Sequence, residues 1–508
     1  MADPGAVANA VSEPDPAASG AGRLVLRNAL FLTIAQAVSI PVSLVMSAAQ
    51  GRFLGAAALG HMYLGTTLNS FGFLAVDWGQ SGGLPALVAT DRSRAGRLLG
   101  TSLVWRAIAA AVVAAALNLL CRFLGYGPDV QVVVALLSAC YTLDTLTNAC
   151  QHTMIGFERT DAAALRQGLG KLSELAIVLP ILACGGGLRA ALVGYLAGCA
   201  IINAHTWRAV SRAGIGRLSV DYQALVLLLK RGTPFVFIGI AMVLQVNVDM
   251  VFLSKLGSPD AVGWHAAARR LTGVLVFPAS ALVGALYPTL CRLHATDQGA
   301  FLKTVSASVR GTCILVIPVA LGCALFPEIG TTAFGRAAFS PAEDNLRVLS
   351  LHLFLVYFTM PLGICLTAAG RQRAWAAAQA ACVGVSVVLD PILVPLFQRR
   401  MGNGGLGVCV AVVVSEIVVL VFGVVLVPRG IFDRQFWRSL LLALVSGLAM
   451  VIVARGLRSV SSFLAAPAAL GAYVGALWIT GGLDRSHVGA IRDMVKRRVS
   501  RSYRRAGA

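Results

Sequence analysis

Fourteen stretches of about twenty apolar residues, the length a helix needs to cross the hydrocarbon core of a bilayer, run from Asn28 to Thr480. They cover residues 28–49, 59–76, 98–120, 130–155, 167–184, 190–207, 234–253, 262–290, 305–326, 346–369, 375–396, 405–427, 436–453 and 463–480. The apolar runs are continuous and do not alternate as barrel strands would, so the spans are read as helices. With 57% hydrophobic residues, 13% charged residues and a mean hydropathy of +0.78, this is a chain whose main solvent is lipid.

The formal charge of +20 would suggest nucleic-acid binding until the basic residues are placed against the spans. With the N-terminus in the cytoplasm, 29 of the 42 Lys and Arg flank the inner ends and ten flank the outer ends. That is the bias of the positive-inside rule, and with an even number of spans both termini are expected to be cytoplasmic. The basic tail from Lys496 to Arg505 follows the last span, where anionic lipid headgroups are a more natural partner than RNA. The opening segment Met1–Gly22 is acidic and rich in Ala, Pro and Gly, without the basic start and short apolar core of a cleavable signal. It is expected to be a disordered tail.

No cofactor or metal is expected. All eleven cysteines, Cys121 to Cys409, fall in or beside spans with no metal-binding spacing, and read as small buried hydrophobes. Gly402-Asn-Gly-Gly-Leu-Gly407 fits a dinucleotide fingerprint in letters only, because it joins two spans and follows no strand. Gly194-x-x-x-Gly198 and Gly471-x-x-x-Gly475 are candidates for close helix approach.

An internal repeat narrows the class. Arg52-Phe-Leu-Gly55, a small-residue turn and Leu59-Gly60-His61 follow the first span; Lys255-Leu-Gly257, a turn and Val262-Gly263-Trp264-His265 follow the seventh. Six spans separate the copies, so the repeats share one membrane orientation, as the paired lobes of alternating-access transporters can. The fold class expected is all-α: a polytopic membrane protein of about fourteen transmembrane helices, in two pseudo-symmetric six-helix lobes plus two C-terminal helices. The divisions are a tail 1–22, a lobe 23–210, a basic amphipathic linker 211–231, a lobe 232–428, two added helices 429–482 and a basic tail 483–508.

Val248-Asp249-Met-Val-Phe-Leu-Ser-Lys255-Leu-Gly257, Val262-Gly263-Trp-His-Ala266-Ala-Ala-Arg269-Arg270, Phe277-Pro278 and Ala285-Leu-Tyr-Pro288 resemble the start of the second lobe in polysaccharide and O-antigen flippases. These belong to the multidrug/oligosaccharidyl-lipid/polysaccharide exporter superfamily. The matching part of the first lobe is Arg52-Phe-Leu-Gly55, Leu59-Gly60 and Val76-Asp77-Trp-Gly79; Trp264-His265 departs from the Tyr-rich sequence the family leads one to expect. The resemblance implies an inner-membrane protein of bacteria that moves a polyprenyl-diphosphate-linked oligosaccharide from the inner to the outer leaflet. A glycan polymerase or glycosyltransferases would be its partners, and it would not be an enzyme.

Ionisable groups inside a membrane are costly, about 2.5 kcal/mol or more each at a helix centre, and are functional candidates for that reason. A diphosphate needs a cationic, wet cavity, and the planar fork of Arg can hold phosphate oxygens bidentately. Arg269 and Arg270 in the eighth span are the first candidates, with Arg106 in the third span and Arg52 as secondary ones. Arg269 and Arg270 lie about 100° apart around a helix, so one of them faces the cavity directly. Asp249 in the seventh span is their charge partner; Gln245, which shares its helix face, and Asn247, which points elsewhere, are further substrate-binding candidates. Asp144, Asp390 and Glu416 are further charge-partner or coupling candidates. Asp390 precedes Pro391, where the helix is expected to break, giving it a capping or a cavity role. Pro41, Pro180, Pro278, Pro318 and Pro361 are expected to kink their spans. Two alternatives stand beside the flippase: a cation-coupled multidrug exporter of the same superfamily, and a membrane glycan polymerase or ligase. The first span carries no carboxylate for coupling, and the longest outer connection, about Pro327 to Asn345, is short for ligase chemistry.

Overall fold

The computed structural model describes residues 16–157, 160–212, 215, 217–459 and 461–482, and every regular element among them is helical. In chain order these are α1 (Pro16–Asp77), α2 (Gln80–Thr90), α3 (Ala95–Phe123), α4 (Pro128–Gly156), α5 (Thr160–Ala183), α6 (Leu188–Ser211), α7 (Tyr222–Leu256) and α8 (Pro259–Thr296). There follow α9 (Gln298–Leu325), α10 (Pro327–Phe334), α11 (Ala342–Ala368), α12 (Gln372–Met401), α13 (Gly404–Leu426), α14 (Arg434–Leu457) and α15 (Ser462–Ile479). Each of the fourteen sequence spans has its helical segment, the first two being the arms of α1; α2 and α10 are additional short helices. Among the described residues twelve helical stretches are long and apolar enough to cross a membrane. Apolar side chains stand exposed along whole faces, as with Ile108, Val112 and Leu119 of α3 and Leu441, Leu448 and Ile452 of α14, which is what a wall against lipid requires. The first fifteen residues and the tail 483–508 lie outside the described residues; Pro16–Gly22 of the expected disordered tail is instead the first part of α1, and Tyr222–Arg231 of the expected linker already belongs to α7.

The repeat dictates two helix breaks. Gly55 bends α1 with φ 84° and ψ 176°, backbone angles that only a residue without a Cβ adopts freely. In the second copy the break is complete: α7 stops at Leu256, and α8 begins at Pro259 with the Ser258 hydroxyl accepting from Ala261 N at 3.2 Å. The next glycine of each copy serves packing. A Cβ on Gly263 would lie 1.9 Å from the Ala56 carbonyl oxygen and one on Gly60 2.5 Å from that of Pro259, so α1 and α8 cross backbone against backbone.

Two compact units result. One takes α1 as far as Met46 and then Gly65 to Met242; the other takes Ser47–Leu64 and the chain from Val243 onward. In the first, Leu84 and Val88 of α2, Leu98 and Leu99 of α3, Met154 of α4 and Leu228 of α7 form one core. Gly194 and Gly198 of α6 pack on Ile181 and Glu174 of α5, while Gly471 and Gly475 of α15 face open space among the described residues. In the second unit α14 packs on α9 and α15, burying Val316, Phe436 and Tyr473 in one core with Phe301, Tyr357 and Leu362.

The expected break at Pro391 does not occur. Helix α12 runs through Pro391 and Pro395 to Met401, because a membrane helix can have its freed carbonyls satisfied by neighbours. Asp390 is therefore a mid-helix residue and caps nothing. The five prolines expected to kink their spans, Pro41, Pro180, Pro278, Pro318 and Pro361, also lie inside helices, in α1, α5, α8, α9 and α11. Gly402 closes α12 in the left-handed conformation, φ 68°, and Gly404 opens α13, so the Gly402–Gly407 run is a helix–helix joint.

Candidate functional site

Within the second unit, α7, α8, α11, α12 and α13 enclose a cavity of about 560 Å³, in the range of small-molecule sites. Its wall follows from helical spacing. Trp375, Gln379, Cys382 and Ser386 recur every three or four residues along one stripe of α12, and Gln245 and Asp249 stand one turn apart on α7. Arg269 enters from α8, His352 and Thr359 from α11, and Ser415 and Glu416 from α13.

Arg269 is the cation of this cavity. Its Nη2 donates to the Val246 carbonyl at 2.9 Å, and its Nη1 lies 4.0 Å from Asp249 Oδ2, the outer limit of an ion pair. Asp249 is the nearest acid, on the neighbouring helix, and the guanidinium also hydrogen bonds the Tyr63 side chain of α1, so that part of its five donors is committed and part is not. Arg270, about a third of a turn further around α8, is exposed and lines no part of the cavity. On α7, Asn247 turns away from it and donates to its own helix, at Val243 O, 3.1 Å.

Two more of the candidate carboxylates, Glu416 and Asp390, belong to this unit. Glu416 accepts from the Thr359 hydroxyl at 2.5 Å and enters no ion pair with another described residue. Asp390, one turn beyond Ser386 on α12, is fully buried, and neither of its oxygens has a hydrogen-bond partner among the described residues.

The remaining candidates are elsewhere. Arg106 of α3 is 1% exposed, in the first unit, and its donors are committed. Nη2 meets Asp77 Oδ1 at 2.6 Å; Nη1 meets Thr145 Oγ1 at 2.6 Å and Thr145 O at 3.1 Å; Nε meets Ser102 Oγ at 3.3 Å. That network ties α1, α3 and α4 together and leaves no free edge for a phosphate. Asp144 lies near the Lys171–Glu174 pair of α5, whose charged atoms are 2.8 Å apart. Arg52 is exposed beside Gly335 and does not line the cavity. Trp264 and His265 are also outside it: Trp264 Nε1 donates to Ala338 O at 2.8 Å, and His265 Nδ1 lies 3.6 Å from Cys409 Sγ.

Sequence reasoning passed over Trp375, Gln379, His352 and Thr359 as cavity lining, and Asp77 as the partner of Arg106. The α12 stripe was visible as polar residues at helical spacing within a span. Nothing local shows that Asp77 and Arg106 meet, since that depends on how α1 and α3 pair.

Residues 25–294 match the family described as polysaccharide biosynthesis protein. No curated protein sequence matches the chain. Among solved structures it is similar to the lipid II flippase MurJ in an inward closed conformation, with a TM-score of 0.70 at 14% identity over 89% of this chain and 98% of that one. An inward-facing multidrug resistance MATE family transporter of the MOP superfamily gives 0.62 at 17% identity, over 76% of this chain and 93% of that one. A MOP superfamily transporter from Pyrococcus furiosus, described as having a binding pocket of reverse polarity, gives 0.52 at 17% identity over 78% and 94%. At such identities the likeness is one of fold.

Proposed function

Since the chain belongs to the polysaccharide biosynthesis protein family and has the fold of a membrane transporter of the multidrug/oligosaccharidyl-lipid/polysaccharide exporter superfamily, we propose that it is a flippase for a polyprenyl-diphosphate-linked oligosaccharide. It moves this lipid from the inner to the outer leaflet of a bacterial inner membrane by alternating access, with both termini cytoplasmic and without hydrolytic or transferase chemistry. The observation that carries the reading is Arg269: a partly uncommitted guanidinium in an otherwise uncharged-to-acidic cavity, held by the Val246 carbonyl and the Tyr63 side chain and loosely by Asp249. A diphosphate entering the cavity gains a bidentate, charge-assisted contact and displaces Asp249 from its weak pairing. Asp249, released, and the buried Asp390 of the same unit, whose oxygens have no hydrogen-bond partner among the described residues, are then the acids that take up the cation or proton coupling the cycle.

The unpaired acids Asp390 and Glu416 also favour a second reading, a cation-coupled exporter of amphipathic drugs. Deleting the gene separates the two. A flippase loss leaves lipid-linked oligosaccharide trapped in the inner leaflet, whereas an exporter loss leaves that pool normal and raises drug sensitivity.

A further inference from the structure

The cavity is graded along its length, and the grading matches the order of groups on a glycosylated diphosphate. Helices α8 and α13 start side by side, Gly405 packing on the Ala261 carbonyl, and they stay in step one turn on, where His265 meets Cys409. Arg269 is therefore level with the Val412–Val413 turn of α13, Glu416 lies about 5 Å further along, and Gly423 about 10 Å beyond that. Trp375 packs at Gly423, where a Cβ would be 3.6 Å from its ring, and across Gly363, where a Cβ would be 2.6 Å from two ring carbons. The absent side chain at Gly363 lets the indole lie directly on the α11 backbone as a fixed wall of the cavity. Gln379, one turn from Trp375 on α12, completes this end.

Neither the Trp375 indole nor the Gln379 side-chain amide forms a hydrogen bond with another described residue, and the Glu416 carboxylate is held only by Thr359. A cavity that shows an amide and an indole without internal side-chain partners, and a carboxylate with a single one, is suited to a ligand rich in hydroxyl donors and acceptors with an apolar C–H face. Resting on the flippase reading, we propose that this end is a glycan subsite: Glu416 and Gln379 hydrogen bond the hydroxyls of the sugar next to the diphosphate, and Trp375 packs against its C–H face. These three residues then set which sugars are accepted, while Arg269 holds the diphosphate common to all of them.

The test is binding to the purified full chain of farnesyl diphosphate and of the same lipid carrying one glucose, galactose or N-acetylglucosamine on the diphosphate. The wild-type protein should bind at least one sugared probe about tenfold or more tightly than the bare one, the equivalent of one hydrogen bond to a charged group. Trp375→Ala, Trp375→Phe and Glu416→Gln should reduce that advantage while leaving farnesyl diphosphate binding unchanged, which also shows that the variants are folded. Arg269→Ala should weaken every probe. If no sugared probe is preferred, or if the Trp375 and Glu416 variants weaken bare and sugared probes alike, the glycan subsite is wrong although the diphosphate contact stands. If Arg269→Ala leaves all probes unaffected, the flippase reading itself fails.

Discussion

Replacing Arg106 by Met tests whether a charge inside the membrane is holding the fold or holding substrate. The side chain is 1% exposed and makes four contacts, to Asp77, Thr145 twice and Ser102. Methionine fills much of the volume but leaves the Asp77 carboxylate and the Thr145 carbonyl without their donor. Breaking a buried pair from one side costs about 3–5 kcal/mol, and the partial exposure of Asp77 places this case near 3 kcal/mol. For a unit of this size that is a fall in Tm on the order of 6–12 °C, read by thermal scanning in detergent. Adding Asp77→Leu removes the stranded anion and should recover most of the loss, because an apolar pair of similar volume often replaces a buried ion pair at little cost. If Arg106→Met instead keeps the wild-type Tm and membrane abundance but abolishes flipping, Arg106 is a substrate contact and the clamp argument is refuted.

Other substitutions probe the packing, the coupling and the topology. Gly263→Ala, whose new Cβ would lie 1.9 Å from a carbonyl oxygen, should lose folded protein in size-exclusion of the detergent extract, whereas Gly471→Ala, facing open space among the described residues, should not. Asp390→Asn should keep abundance and farnesyl diphosphate binding but remove the response of transport to an imposed proton or sodium gradient; an unchanged response would take Asp390 out of coupling. Reporter fusions after Arg212 and at the C-terminus should be cytoplasmic and one after Arg336 external, and an external C-terminus would overturn the topology.

The helices were legible in the sequence because lipid demands long uninterrupted apolar runs, and those runs were read directly. The repeat glycines were legible too, but their meanings differ: Gly55 needs its backbone angles, while Gly60 and Gly263 need their missing side chains, a distinction only packing reveals. For the arginine pair, helical geometry said that one would face inward; choosing Arg269 required the position of α7. Pro391 misled because the rule that proline ends a helix comes from helices whose freed carbonyls face water. The Trp375 wall was hidden because a tryptophan near the end of a membrane span ordinarily reads as an interface anchor.

The most direct measurement reconstitutes the full chain in liposomes with a lipid-linked oligosaccharide and follows how much of it becomes accessible to a membrane-impermeant glycosidase. Transbilayer movement is expected with the wild-type protein, loss of it with Arg269→Ala, and little rescue by Arg269→Lys at matched protein abundance, because an ammonium lacks the planar fork. Normal movement with both Arg269 variants, or none with the wild-type protein while an amphipathic drug is carried, would contradict that expectation.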